Sequence, residues 1–239
     1  MTKIALVTGA NKGIGYETAR GLGAHGYTVL LGARSAERGW TAAAALREEG
    51  YRVDFIRLDV TDPGSVVTAA TRIEAEHGHL DVLVNNAGIA RYDGSALPSE
   101  TTLATLCEVY ETNLFGVVTT NTLLPLLRRA DRARIVNVSS DLGSIALALD
   151  PGSPYYPLAF LAYASSKNAL NMATACWAKE LRDTGITVNA VNPGLTATDL
   201  NNHSGHRTPG EGARIVITVA TQDAPPTGAF RQEDGPLPW

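Results

Sequence analysis

Residues 1–15 read MTKIALVTGANKGIG, and this stretch decides the fold. Positions 4–8 form a short apolar run with β-branched residues. The chain then breaks into Gly9, Gly13 and Gly15 before a helical pattern begins. The order is strand, glycine turn, helix. Glycines at such a turn reach φ > 0 and let a ligand approach bare backbone. The start of the following helix offers unpaired N–H groups and partial positive charge to a phosphate. A glycine-rich loop alone is weak evidence, but one that follows a strand and opens a helix has the context that gives it meaning.

Working outward, the same alternation repeats. Apolar runs at 27–33, 52–58, 80–84, 134–138 and 186–191 read as strands, and helical patterns at 36–49, 63–77, 103–129 and 161–182 lie between them. Asp62-Pro63 starts one helix with proline at its first position, and Gly50 caps another. The long segment 103–129 tolerates Gly116 and is expected to kink near Pro125. Residues 89–101 and 141–158 read as loops. Thr208-Pro209-Gly210-Glu211 has the form of a capping box. The β-branched residues at 213–221 leave a strand as competitor to the helix chosen there. Residues 228–232 read as a final edge strand. Strands that are nearly continuous apolar runs, separated by helices, imply a doubly wound parallel α/β sheet with helices on both faces, in a single domain spanning 1–239. Ligands of such sheets bind beyond the C-terminal ends of the strands. The residues at those ends are Gly9, Arg34, Asp59, Asn86, Ser140 and Pro193-Gly194.

Composition narrows the class. The 239 residues carry a net charge of −4 with no basic run, which argues against a nucleic-acid partner. No apolar stretch is long enough to span a bilayer, and the first strand begins too early for a targeting segment. Cys107 and Cys176 read as free buried thiols of a reducing compartment. A cytoplasmic location is the expectation. His203 and His206 lack an evident third ligand, so no metal site is expected.

The residues Thr8-Gly9-Ala10-Asn11-Lys12-Gly13-Ile14-Gly15, Asp59, Asn85-Asn86-Ala87-Gly88, Asn113, Ser140, Tyr163-Ala164-Ser165-Ser166-Lys167 and Asn192-Pro193-Gly194 with Thr198 occur in one order and spacing. In this the chain resembles the short-chain dehydrogenase/reductase family, and its TGANKGIG, VNNAGIA and VNVSS look most like the carbonyl-reductase-like branch. The resemblance covers nearly the whole chain and implies a Rossmann fold. It also implies that Asp59, with the Val60 backbone, meets the adenine and that Asn86, Ala87 and Gly88 line a ribose. Pro193, Gly194, Leu195 and Thr198 would hold the nicotinamide. The choice between cofactors rests on charge. NAD binders usually place an acid after the second strand, whereas this chain has Gly32-Ala33-Arg34-Ser35. A guanidinium fork matches a phosphate, so NADP(H) is expected, with Arg34 and Lys12 on its 2′-phosphate.

Carbonyl reduction needs a hydride from the cofactor and a proton from a side chain beside the oxygen. Tyr163 is the candidate. A phenol titrates near 10 unless a cation favours its ionised form, and Lys167, four residues on, shares its helix face. Lys167 can also donate to the nicotinamide ribose. Ser140 is expected to hydrogen-bond the substrate oxygen, ahead of its neighbour Ser139. Asn113 has the family role of holding a water that links Lys167 to solvent. Ser140 and Tyr163 stand 23 positions apart, a wider spacing than in compact family members. The extra DPGSPYYPLAF segment brings Tyr155, Tyr156, Leu158 and Phe160, which favour an apolar ketone or aldehyde. It leaves the choice between monomer and homo-oligomer open. The expected activity is NADPH-dependent reduction of a small-molecule carbonyl. The alternatives are alcohol oxidation by the same site, and a non-catalytic NADPH sensor, a class that often lacks the tyrosine or lysine kept here.

Overall fold

The computed structural model describes residues 2–91 and 97–239. Part of the loop read at 89–101, residues 92–96, therefore lies outside the described residues. One mixed sheet of eight strands organises the chain in the order β3-β2-β1-β4-β5-β6-β7-β8. The strands are β1 (Ile4–Val7), β2 (Thr28–Ala33), β3 (Val53–Arg57), β4 (Val82–Asn85), β5 (Arg134–Val138), β6 (Thr187–Val191), β7 (Phe230–Gln232) and β8 (Gly235–Pro236). Strands β1 to β7 run parallel, and Leu6 pairs Leu30 on one side and Leu83 on the other. The order reverses between β1 and β4, which places the crevice of a doubly wound sheet at their C-terminal ends.

Both faces of the sheet are dry, as its unbroken apolar strands require. Ala5 and Val7 face one layer, built by α1 (Gly13–Ala24), α2 (Ala36–Glu48) and α9 (Pro209–Thr221) through Leu22, Leu46 and Val216. Ile4 and Leu6 face the other, built by α3 (Pro63–His77), the segment 103–127 and α8 (Leu161–Glu180) through Ile73, Leu127 and Ala178. Local signals set the helix starts. Asp62 accepts a hydrogen bond from Gly64 N at 2.9 Å ahead of Pro63. Thr208 and Glu211 close a reciprocal capping box, which resolves 209–221 as helix despite its β-branched residues.

The structure departs from the sequence reading in four places. Residues 103–129 are not one helix: α4 (Leu103–Tyr110) passes into a π turn at Glu111–Phe115, then α5 (Gly116–Thr119), a 3₁₀ turn at Thr120–Leu123 and α6 (Leu124–Leu127). Pro125 cannot supply an N–H to the preceding turn, and the chain tightens to 3₁₀ just before it. Residues 141–158 contain a 3₁₀ turn at Asp141–Gly143 and a short α7 (Ile145–Leu149). Strand β7 is not the edge, because β8 folds back antiparallel on it. Cys107 and Cys176 are free but exposed. Each stands two residues from a buried helical position, Val109 and Thr174, and two steps of 100° turn a side chain to the opposite face. Among the described residues, no helix is long and apolar enough to cross a membrane.

Candidate active site

At the point where the strand order reverses, the loop after β1 is clamped to the loop after β4. Thr8 Oγ1 accepts from Asn86 N and Ala87 N, both at 3.0 Å, and Asn86 Nδ2 donates to Thr8 O at 2.9 Å and Gly9 O at 3.2 Å. The glycines are sterically required. Gly9 has φ of 63°, and a Cβ there would stand 2.9 Å from Ala87 Cα. A Cβ on Gly15 would stand 2.4 Å from Asn86 Nδ2. Gly13, Ile14 and Gly15 form the first turn of α1. Ser35, Asp62 and Thr208 cap α2, α3 and α9 with their side chains, but Lys12 gives α1 no such cap. The first-turn N–H groups of α1 therefore open onto the cleft free to meet an anion.

The cleft holds about 1470 Å³, and its walls carry the predicted cofactor residues, from Gly9 and Asn11 to Leu195 and Thr198. Arg34, at the end of β2, is exposed and makes no hydrogen bond or ion pair with a described residue. Asp59 uses Oδ1 on Thr61 N at 3.0 Å and on Thr61 Oγ1 at 2.8 Å. Its neighbour Val60 is buried. Lys12 is ion-paired with Asp199 from the loop after β6, and Asp199 also meets His203 Nε2 at 2.9 Å. In that loop Gly194 N donates to Asn192 Oδ1 at 3.1 Å, and Thr198 N donates to Asn201 Oδ1 at 3.1 Å. The donor set fits a dinucleotide phosphate: an uncapped helix start, glycines that a Cβ would fill, and an unpaired guanidinium at one end.

At the other end the expected reacting groups meet. Tyr163 and Lys167 lie one turn apart on α8, with Lys167 Nζ 5.7 Å from the Tyr163 ring centroid. The ammonium is fully buried and donates to Val138 O at 2.8 Å. Burial lowers its pKa from 10.5 to about 8, because a low-dielectric site disfavours the charged form. Asn113 sits inside the π turn and is fully buried. It holds the backbone of Ile89 from both sides, accepting from N at 2.8 Å and donating to O at 2.9 Å, and it donates to Ser166 Oγ at 3.0 Å. Asn113 and Lys167 converge beside Gly88, where a Cβ would stand 3.3 Å from Asn113 Oδ1 and 3.5 Å from Lys167 Nζ. Ser139 turns away into α8, donating to Asn171 Oδ1 at 2.6 Å. Ser140 lines the cleft; it donates to Asp141 Oδ1 at 3.0 Å and accepts from Leu142 N at 3.2 Å.

The short chain dehydrogenase family pattern matches residues 3–208. The chain belongs to the short-chain dehydrogenase family. A short-chain dehydrogenase of Penicillium roqueforti, anuI, is 40% identical over 234 residues, covering 93% of this chain and 90% of that protein. Salutaridine reductase of Papaver bracteatum is 32% identical over 292 residues, covering 95% and 93%. That span exceeds the 239 residues of this chain, so the relative carries residues this short-chain dehydrogenase lacks. Among solved structures, a carbonyl reductase from chicken fatty liver with NADPH bound superposes with a TM-score of 0.87 at 29% identity, covering 100% of this chain and 99% of that one.

Two residues of this short-chain dehydrogenase's cleft escape the sequence reading. Asp141 is buried beside Ser140 and accepts from Asn192 Nδ2 at 3.1 Å. Burial first, then a hydrogen bond to that carboxylate, hold the Tyr155 phenol well above its usual range. An acid directly after a strand-end serine pair is the one local signal for it. Asp199 gives no local signal, since its partner Lys12 lies 187 positions away.

Proposed function

We propose that the protein reduces a ketone or aldehyde to an alcohol with NADPH, using the side chains of Tyr163, Lys167, Ser140 and Asn113. The observation that carries this reading is a buried ammonium one helical turn from a phenol, in the same cleft as an uncapped glycine-rich helix start. When bound, NADPH supplies the hydride. Arg34 receives its 2′-phosphate, as the unpaired guanidinium at the adenine end, and Asp59 keeps one carboxylate oxygen clear of Thr61 for the adenine. Asn86, Ala87, Gly88, Pro193, Gly194, Leu195 and Thr198 line the remaining length.

Tyr163 donates its phenolic proton to the carbonyl oxygen as the alcohol forms. A phenol is a poor acid at neutral pH, and the Lys167 charge favours the phenolate it leaves. Ser140 steadies the same oxygen with its hydroxyl. Asn113 holds Ile89 and Ser166 in place beside Lys167, on the path by which Tyr163 recovers a proton. The relatives that are reductases and the NADPH-bound structural neighbour support this direction of reaction.

The test follows loss of NADPH absorbance over a panel of aldehydes, aromatic ketones, quinones and cyclic ketones, with Tyr163→Phe as control. Turnover should fall by about 10²–10⁴-fold in the variant, with NADPH affinity nearly intact. Turnover retained by Tyr163→Phe, or tight NADPH binding with no carbonyl reduced by the native protein, refutes the proposal.

A further inference from the structure

Asp141 is 6% exposed, and none of the ion pairs among the described residues involves it. Neutral donors surround it instead. Oδ1 accepts from Ser140 Oγ at 3.0 Å and Leu142 N at 2.9 Å, Oδ2 accepts from Asn192 Nδ2 at 3.1 Å, and the Tyr155 phenol lies beside the carboxylate. A carboxylate offers about four acceptor sites, and these three donors occupy most of them. Asp141, Ser140 and Tyr155 all line the cleft.

Ser140 has a single proton to give. In the structure that proton goes to Asp141, yet the proposed reaction asks for it at the carbonyl oxygen. Turning the hydroxyl toward substrate strips a buried carboxylate of a donor, which is unfavourable unless another donor replaces it. The Asp141 carboxylate presents acceptors only. A carbonyl oxygen is repelled there, and a hydroxyl or an ammonium is attracted.

We infer that Asp141 is a specificity-determining residue that accepts a hydrogen bond from a donor substituent of the substrate, a hydroxyl or an ammonium next to the reacting carbonyl, and so releases Ser140 to the reacting oxygen. This rests on the reduction reading. The adjacency follows from the 3.0 Å between Ser140 Oγ and Asp141 Oδ1: groups bound to the two must sit on neighbouring substrate atoms. The missing counter-ion makes the ammonium the better fit, since charge-assisted hydrogen bonds are the stronger ones.

The experiment compares acetophenone with its α-hydroxy and α-amino derivatives, both as substrates with NADPH and, as the corresponding alcohols, by calorimetry on protein loaded with NADP⁺. Native protein should favour the donor-bearing ligands by about tenfold, the amine more than the hydroxyl. Asp141→Asn should bring the amine ratio close to one. Tyr155→Phe removes the neighbouring hydroxyl that can compete for the carboxylate and should widen the preference, which keeps the test alive if Asp141→Asn does not fold. A purely structural Asp141 would lower all three ligands together and leave the ratios unchanged, which overturns the inference. So does equal handling of the three by native protein, and in that case ketone reduction itself stands. If no ketone is turned over while the binding preference appears and Asp141→Asn abolishes it, the reduction reading fails and the role of Asp141 is upheld.

Discussion

Replacing Lys167 with methionine should change how stability depends on pH, in a direction set by burial. The ammonium is fully buried, and its pKa falls from 10.5 to about 8. Below pH 8 the side chain is charged in both folded and unfolded chains, and the folded state bears the full desolvation penalty. Between about pH 8 and 10.5 the folded chain has released the proton and the unfolded chain still holds it. Stability then rises with pH, because the unfolded state binds more protons. Each pKa unit is worth about 1.4 kcal/mol, so the native protein should gain about 2 kcal/mol on Lys167→Met between pH 7 and pH 9.5. Methionine also leaves Val138 O without its 2.8 Å donor, a loss that offsets the curves by a constant amount and does not tilt them. Tyr27 and Tyr155, whose pKa values are raised, titrate in both proteins and cancel in the difference. Urea unfolding of cofactor-free protein at several pH values reads the effect. Parallel stability curves for native and Lys167→Met would refute the reasoning, because a lysine with an ordinary pKa contributes no such slope in that window.

Three further outcomes follow from the same geometry. Arg34→Ala should lose about 10–100-fold of its preference for NADPH over NADH, the worth of a charge-assisted contact to the phosphate; ratios of kcat/KM for the two cofactors measure it, and an unchanged ratio removes Arg34 from that role. Gly15→Ala pushes a methyl to 2.4 Å from Asn86 Nδ2 and 2.7 Å from Gly9 O, so the clamp between the β1 and β4 loops must open. A cost of about 1–3 kcal/mol in stability, with weakened NADPH binding, should appear in denaturant titration and calorimetry. Thr208→Ala removes the capping-box acceptor of Glu211 N at 3.2 Å and should cost about 1 kcal/mol, or roughly 2–4 °C in Tm.

The sheet and most helix starts are legible because their causes are local. Apolar runs with β-branched residues mark strands buried on both faces, and Asp62-Pro63 and Thr208-Pro209 carry their own capping groups. What escapes the sequence depends on distant partners. The π turn at Glu111–Phe115 turns Asn113 toward Ile89 and Ser166, 24 and 53 positions away, and nothing within the helix itself announces it. Lys12, read as a phosphate ligand, meets the Asp199 carboxylate across the cleft mouth, so an arriving 2′-phosphate must compete with that carboxylate for it. The thiols fail for a different reason: composition favours burial of cysteine, but helical phase decides which face each one takes.

The two buried charges of the cleft end are kept apart. Lys167 stands behind Tyr163 and is satisfied by the carbonyl of Val138; Asp141 stands behind Ser140 and is satisfied by a hydroxyl, an amide and a backbone N–H. Pairing them directly would relieve the desolvation cost of both, and would neutralise the field of each at the reacting oxygen. Their separation leaves a positive side at the phenol and a negative side at the serine. A substrate oxygen that gathers negative charge is drawn toward the phenol, and a donor substituent toward the carboxylate. Double substitution tests how far that separation uncouples the two groups: Lys167→Met and Asp141→Asn together should restore more stability than their separate effects add up to if the two charges interact through the cleft, and should be additive if each is satisfied only by its neutral partners. The hydrogen bonds to neutral groups on both sides favour additivity within about 0.5 kcal/mol.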